Sequence, residues 1–369
     1  ATVFADSIGH TRHMAIGSDG TMYVNTWSGE YYGNDKPHPA GFLVALRDTT
    51  GEGQADVIAR FGDSVQSGGH GGTGIALYNG GLYGEANNKV IRYTLGPGSV
   101  TPSAGPEAVI NGLPLSGDHP IFPFVIDSTG AIYMSSGSAS NACQLKNREK
   151  GSPGHKPCTE LETRGGIWRY DAKQTGQQFS AKERYATGIR NAVGIGMDGS
   201  GQVYSTQHGR DQLAENWPKL YTPLQGQNFP AEVMLKITQG ADFGWPYCYF
   251  DSTQVKLVLA PEYGGDGGKA QRPRNGHFAR RAAVALGDDL QSFHQRQRRG
   301  EVRLLKELSL PAPVVAGQGR QPLAGHRAGE QTRLHGGVDD HPRAVLETPR
   351  KHVRLRLAPQ ERVGRVQPG

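Results

Sequence analysis

Four stretches of the chain share one alternation of apolar and polar positions, interrupted by a tight turn and resumed on a hydrophobic residue followed by tyrosine. They run from His13 to Tyr23, Gly74 to Tyr83, Phe124 to Tyr133 and Gly194 to Tyr204. A period of two marks a strand with one packed face. The turns contain Asp19-Gly20, Asn79-Gly80, Asp127 with Gly130, and Asp198-Gly199. These residue types supply the positive φ that tight hairpins require. Each stretch therefore predicts a β-hairpin. The tyrosines recur at intervals of 60, 50 and 71 residues, close to one four-stranded propeller blade with insertions. A hairpin-rich β-sandwich is the alternative, but it has no need of the same turn-plus-tyrosine unit four times. Further strands are predicted at 42–47, 90–93 and 166–170, and a short helix at 213–220 before Pro223. Two polar, turn-rich insertions cover 28–40 and 139–160.

This pattern stops near residue 270. Residues 271–369 contain two aromatics, Phe278 and Phe293, and no isoleucine. They carry 17 Arg and 2 Lys against 9 acidic residues, a net +10, whereas residues 1–270 are net −4. The basic character thus belongs to the tail, and it is not read as nucleic-acid binding by the body. We divide the chain into a β-propeller catalytic domain, 1–270, and an aberrant basic tail, 271–369, that is disordered or out of frame. Such a tail buries too little apolar surface to offset its ordering entropy.

No apolar run approaches the length of a membrane-spanning helix. The chain begins at Ala1 with neither a charged nor an apolar leader, as expected of a processed or truncated N-terminus. Cys143 and Cys158 bracket a polar loop, and Cys248 stands apart. A Cys143–Cys158 disulfide would fit an oxidising compartment such as the periplasm; two unpaired thiols are the alternative.

Five segments carry candidate chemistry. Asp118-His119 precedes a hairpin strand, and a histidine held in one tautomer can serve as a general base near neutral pH. Arg190-Asn191 offers a guanidinium fork and an amide for carboxylate or quinone oxygens. Gln207-His208-Gly209-Arg210-Asp211 combines a glycine that allows close approach to its carbonyl with a hard carboxylate oxygen. Ser67 to Gly74 contains a formal G-x-G-x-x-G around His70, but a strand is predicted after it where a dinucleotide fingerprint requires a helix. Ala241 to Tyr249 holds aromatics that suit either a ligand mouth or a buried blade strand.

Several ordered motifs resemble the soluble pyrroloquinoline-quinone (PQQ) dependent sugar dehydrogenases, and most closely their L-sorbosone dehydrogenase branch. They are Gly-Gly-His-Gly-Gly-Thr-Gly (68–74), Gly-Asp-His-Pro (117–120), Arg-Gly-Gly-Ile-Trp-Arg-Tyr-Asp (164–171), Gly-Ile-Arg-Asn (188–191), His-Gly-Arg-Asp-Gln-Leu (208–213) and Phe-Gly-Trp-Pro-Tyr-Cys (243–248). The resemblance implies an all-β, six-bladed β-propeller, incomplete here because the C-terminal segment departs from the pattern. It implies PQQ and Ca²⁺ as cofactors, His119 and Arg190 as catalytic residues, and His70, Asp118, Arg190, Asn191 and His208 at the cofactor. Gly209, Arg210 and Asp211 fall at the metal. The implied reaction oxidises a sugar or sugar aldehyde, such as L-sorbosone, by hydride transfer to PQQ. The expected setting is periplasmic, or membrane-associated on the periplasmic side, with the electron acceptor unassigned. A non-catalytic carbohydrate- or protein-binding propeller and an NAD(P)-linked sorbosone dehydrogenase are the alternative readings.

Overall fold

The structure, a computed structural model, describes residues 2–27, 40–62 and 71–267. His70 and the tail 271–369 lie outside the described residues, as does most of the 28–40 insertion.

The first blade is a meander of β1 (His10–Ile16), β2 (Met22–Trp27), β3 (Leu43–Arg47) and β4 (Val57–Phe61), in that spatial order. The second runs β5 (Gly71–Tyr78), β6 (Gly81–Ala86), β7 (Lys89–Thr94), β8 (Glu107–Asn111). The third begins with β9 (Phe124–Ile126), β10 (Ala131–Ser136) and β11 (Gly166–Asp171). The chain then places β12 (Gln177–Gln178) parallel to β8 of the preceding blade, and returns to complete the third blade with β13 (Arg184–Thr187). The fourth has three strands, β14 (Ile195–Met197), β15 (Val203–Gln207) and β16 (Val233–Lys236). A hairpin of β17 (Cys248–Asp251) and β18 (Lys256–Leu259) follows. The described residues thus form an all-β propeller arrangement with four blades.

All four repeated stretches are the first hairpin of a blade. Two kinds of turn close them. Asn79 and Gly80 both have positive φ, at 47° and 73°, and join Tyr78 to its partner Gly81 in a two-residue turn. In the other three the aspartate works through its carboxylate. Asp19 accepts from the Thr21 amide, Asp127 from Thr129 and Ala131, and Asp198 from Ser200 and Gln202. In those turns the positive φ falls on Gly20, Gly130 and Gly201, not on the aspartate or Gly199.

The core lies between neighbouring blades. Tyr23, Phe42 and Leu43 of the first pack on Ile75, Leu82 and Tyr93 of the second. Tyr83, Val90 and Ile110 meet Phe124, Met134 and the fully buried Trp168 of the third. Ile167 and Ala186 meet Val203, Val233 and Leu235 of the fourth. Gly74 permits one such approach, because a Cβ there would stand 2.5 Å from the Phe124 ring. Gly71, Gly72 and Gly74 therefore lie in a strand, as predicted, and Gly72 and Gly74 serve close packing.

The predicted helix over 213–220 is shorter than expected. It ends as α1 (Leu213–Asn216), because Pro218 drives Trp217 out of helical geometry. A second helix, α2 (Pro223–Asn228), starts at Thr222 with a capping box to Gln225 and proline in its first turn. Cys143 and Cys158 are disulfide-bonded. Cys248 is buried and unpaired, and burial pushes its thiol up to about 12. Phe243 and Trp245 are likewise buried, so the aromatic segment is mostly core.

Candidate active site

Antiparallel alternation sends the approach to a blade's first strand and the exits from its second and fourth strands to one end. Four such connections carry the polar clusters: residues 117–119 before β9, 137–141 after β10, 188–191 after β13 and 208–211 after β15. Backbone hydrogen bonds join them. The Asp118 amide donates to Ala139 O at 2.9 Å, Ser138 to Arg190 O at 2.7 Å, and His208 to Asn191 O at 3.0 Å. Arg164, buried in the third blade, donates to Gly137 O at 3.3 Å and to Ser116 O, tying the first two loops from below. Burial without a directly bonded carboxylate lowers its guanidinium to about 10.

His119 is 8% exposed. Its Nδ1 lies 2.9 Å from Ser138 O and 3.0 Å from Ser138 Oγ. The carbonyl can only accept, and the hydroxyl proton is given to Ser140 O at 2.6 Å. Nδ1 must therefore carry the proton, leaving a lone pair on Nε2. Nε2 bonds to no described residue. Burial, then the Arg190 charge, lower the imidazole to about 4, against the opposing Ser138 hydrogen bond. The ring is neutral at pH 7, with Nε2 open as an acceptor. Gly137 leaves the space this needs, since a Cβ there would come within 2.6 Å of His119 Cβ and 3.3 Å of Asn191 Oδ1.

The tautomer is set by Ser138, not by the adjacent carboxylate. Asp118 turns away to accept from Asn147 Nδ2 at 3.1 Å and Arg148 Nε at 2.9 Å. Its carboxylate is thus a brace for the disulfide-closed loop, which corrects the simple Asp-His pairing that the sequence suggests. Arg148 also donates to Asp211 Oδ2 at 3.0 Å and Gln212 Oε1 at 3.1 Å.

Arg190 is 3% exposed and lies at the centre. Nε donates to Asn141 O at 3.1 Å, Nη1 to Gly209 O at 3.0 Å and Nη2 to Asp211 Oδ2 at 2.7 Å. Burial lowers its proton affinity, and Asp211 opposes that. Burial alone would raise Asp211, but Arg190 and Arg148 hold it below the usual carboxylate range. Asn191 Oδ1 is buried with no hydrogen-bond partner among the described residues.

The remaining cluster is arranged differently. His208 is half exposed and pairs with Glu232 at 2.9 Å. Arg210 Nη1 meets Glu262 Oε2 at 2.5 Å in a buried pair, whose other oxygen accepts from Trp217 Nε1 at 2.8 Å.

The donors that quinone oxygens require are present on the His119 side, in the Asn191 amide and the N–H groups of Arg190 not used on Asn141, Gly209 and Asp211, beside the open acceptor nitrogen of His119. Calcium does not fit the 209–211 side. The ion takes six to eight oxygen ligands, and here the Gly209 carbonyl and Asp211 Oδ2 already accept from guanidinium groups. Among the described residues no three His, Cys, Asp or Glu stand together as metal ligands.

The structure therefore brings His119, Arg190, Asn191 and the backbone of His208 to one place, with Asp118 and Asp211 as braces. Sequence reasoning missed Ser138, Asn141, Arg148 and Glu160, which accepts from the Ala139 and Ser140 amides. The run of small polar residues from Ser135 to Asn141 at a strand exit was the available signal.

The TrAA12-like family matches residues 50–260 of this chain. No curated protein matches it. Among solved structures it is similar to the iodide and calcium structures of the Trichoderma reesei carbohydrate-active enzyme of family AA12. For the iodide structure the TM-score is 0.55 at 17% identity, over 77% of this chain and 68% of that one. For the calcium structure the TM-score is 0.54 at 17% identity, over 77% and 67%. It is also similar to the holo form of the pyranose dehydrogenase PQQ domain of Coprinopsis cinerea, with TM-score 0.52 and 15% identity. That match covers 70% of this chain and 61% of the domain. These likenesses establish a shared fold.

Proposed function

Because this chain belongs to the TrAA12-like family, we propose that it is a sugar-oxidising quinoprotein dehydrogenase with His119 as general base. The observation that carries the reading is the state of His119: neutral, with Nδ1–H tethered to Ser138 and Nε2 open. A base of that kind is what removing a hydroxyl proton from a sugar or an aldehyde hydrate requires. The pyranose dehydrogenase PQQ domain and the family AA12 enzyme supply the substrate and cofactor class.

His119 Nε2 takes the hydroxyl proton as the substrate carbon gives up its hydrogen with the bonding pair. PQQ, when bound, supplies the quinone that accepts this two-electron equivalent. Asn191 and the unused N–H groups of Arg190 would hold it. Arg190, fixed by Asn141, Gly209 and Asp211, keeps a buried positive charge beside the base and favours negative charge developing there. Ser138 fixes the ring that receives the proton.

The finer reading is an aldose or L-sorbosone-type aldehyde as substrate, a six-bladed ring, and a periplasmic setting in keeping with the Cys143–Cys158 disulfide. The test is to add PQQ to the purified chain and follow glucose and sorbosone oxidation with a dye acceptor, with NAD(P)⁺ as a separate acceptor. PQQ-dependent dye reduction that H119Q abolishes supports the proposal. Turnover with NAD(P)⁺ alone, or none with any sugar, overturns it.

A further inference from the structure

The arginines beside Gly209 enclose a cavity with a lining of one sign. Its volume is about 20 Å³, room for a single water or monatomic ion. Arg190, His208 and Arg210 line it together with the apolar faces of Trp245, Phe250 and Ala142, and no Asp or Glu contributes to the wall. Arg210 is 7% exposed, and with Nη1 on Glu262, its Nε and Nη2 are buried without a partner among the described residues. Leaving charged donors unpaired in the interior is expensive. Each carboxylate that balances these arginines engages other nitrogens: Asp211 takes Arg190 Nη2 and Arg148, and Glu262 takes Arg210 Nη1 and Trp217. The free donors of Arg210 thus need an acceptor in a small space whose wall carries guanidinium groups and no carboxylate. A monatomic anion accepts from them and offsets their charge; a divalent cation does neither.

The geometry points to a halide site in this cavity, with chloride held by Arg210 Nε and Nη2 beneath Arg190 and against Trp245, at the position where the family resemblance expects calcium. Such a site gives the loop at 208–211 its order through anion binding. It needs no oxidation chemistry and is independent of the reading of His119.

The test uses the full chain, with bromide and iodide as probes. Crystals grown in sodium bromide should show an anomalous peak within hydrogen-bonding reach of Arg210 Nε. In solution, iodide titrated against gluconate at constant ionic strength should give a saturable quench of tryptophan fluorescence, which bromide and chloride compete away. R210K keeps the charge but removes Nε, and should weaken halide binding about tenfold or more. Should R210K fail to fold, the wild-type crystal still decides. An ordered water without anomalous signal, purely collisional quenching, or a calcium peak on the Gly209 carbonyl after a calcium soak would each overturn the site. PQQ-dependent sugar oxidation is read separately, so either idea can fail while the other stands.

Discussion

The two halves of the loop-bearing end are built from similar residues to opposite effect. On the His119 side a neutral ring is bonded at one nitrogen and open at the other. On the 208–211 side three arginines and their carboxylates are cross-braced, and the Gly209 carbonyl and Asp211 Oδ2 already have donors. A catalytic base needs a free valence that the protein leaves unsatisfied. A brace commits its groups to fixed partners: Arg190 holds backbone across chain separations of 19 and 49 residues, and what stays open there is a pair of donors, Arg210 Nε and Nη2. The difference teaches that polar residues gathered at one end are not equivalent, and that the kind of valence left open, a proton acceptor at His119 and donors at Arg210, separates their roles more than proximity does.

The sharpest way to break this contrast is H119Q. Loss of the base should lower kcat by roughly 10²–10⁴-fold, while the urea midpoint stays close to that of the parent. A collapse of stability with activity per folded molecule retained would place His119 in the scaffold instead. On the other side, R210M strands the buried Glu262 carboxylate and should cost about 3–5 kcal/mol in urea unfolding. R210M combined with E262Q should lose less than the two single changes together, since the pair is in contact. Additive losses would show that the brace is not a unit. Replacing Cys143 and Cys158 by serine should remove about 3 kcal/mol for a loop of 15 residues. It should also lower kcat, because Asn147 and Arg148 reach Asp118 from that loop.

The smallest effect concerns pH. His119 titrates at about 4 in the folded chain, from an ordinary value of 6.5. Its base form persists through mildly acidic solution, so kcat/KM should stay level from neutrality to about pH 5 and fall only as pH approaches 4. An inflection near 6.5 would mean that the ring is solvated. The linked stability has a definite sign. Between 4 and 6.5 the unfolded chain binds the proton that the folded chain refuses, so His119 makes folding less favourable as pH drops through that window.

The blades were legible in the sequence because a half-buried strand has a two-residue period and its turns have few chemical solutions. All four hairpins lie where the alternation puts them. The helix beginning at Leu213 stops before Leu220 because Pro218 holds Trp217 outside helical geometry, an effect that apolar periodicity does not carry. At the site, His119 and Arg190 could be named but their partners could not. Ser138 reaches His119 over 19 residues, Asn141 reaches Arg190 over 49, and Arg148 reaches the brace Asp211 over 63, all through loops without periodicity. Arg148 lies in a charged run, Lys146 to Lys150, whose composition is that of any solvated loop. Tertiary closure, rather than local preference, decides which of its charges turns inward.

β12 has consequences for how the molecule comes apart. Repeat architectures open unit by unit when each contacts its neighbours only through packed faces. Here the chain leaving the third blade lends two residues to the outer edge of the second, Gln177 and Gln178 pairing with Ile110 and Asn111. That loan covers an edge which would otherwise offer unpaired amides to another chain. It also couples the two blades covalently and through a shared ladder, so neither can release its outermost strand alone. The second and third blades should therefore exchange their amide hydrogens as a single foldon, with a common opening free energy and a common response to denaturant. The first blade, with no such borrowed strand among the described residues, should open independently and at lower cost.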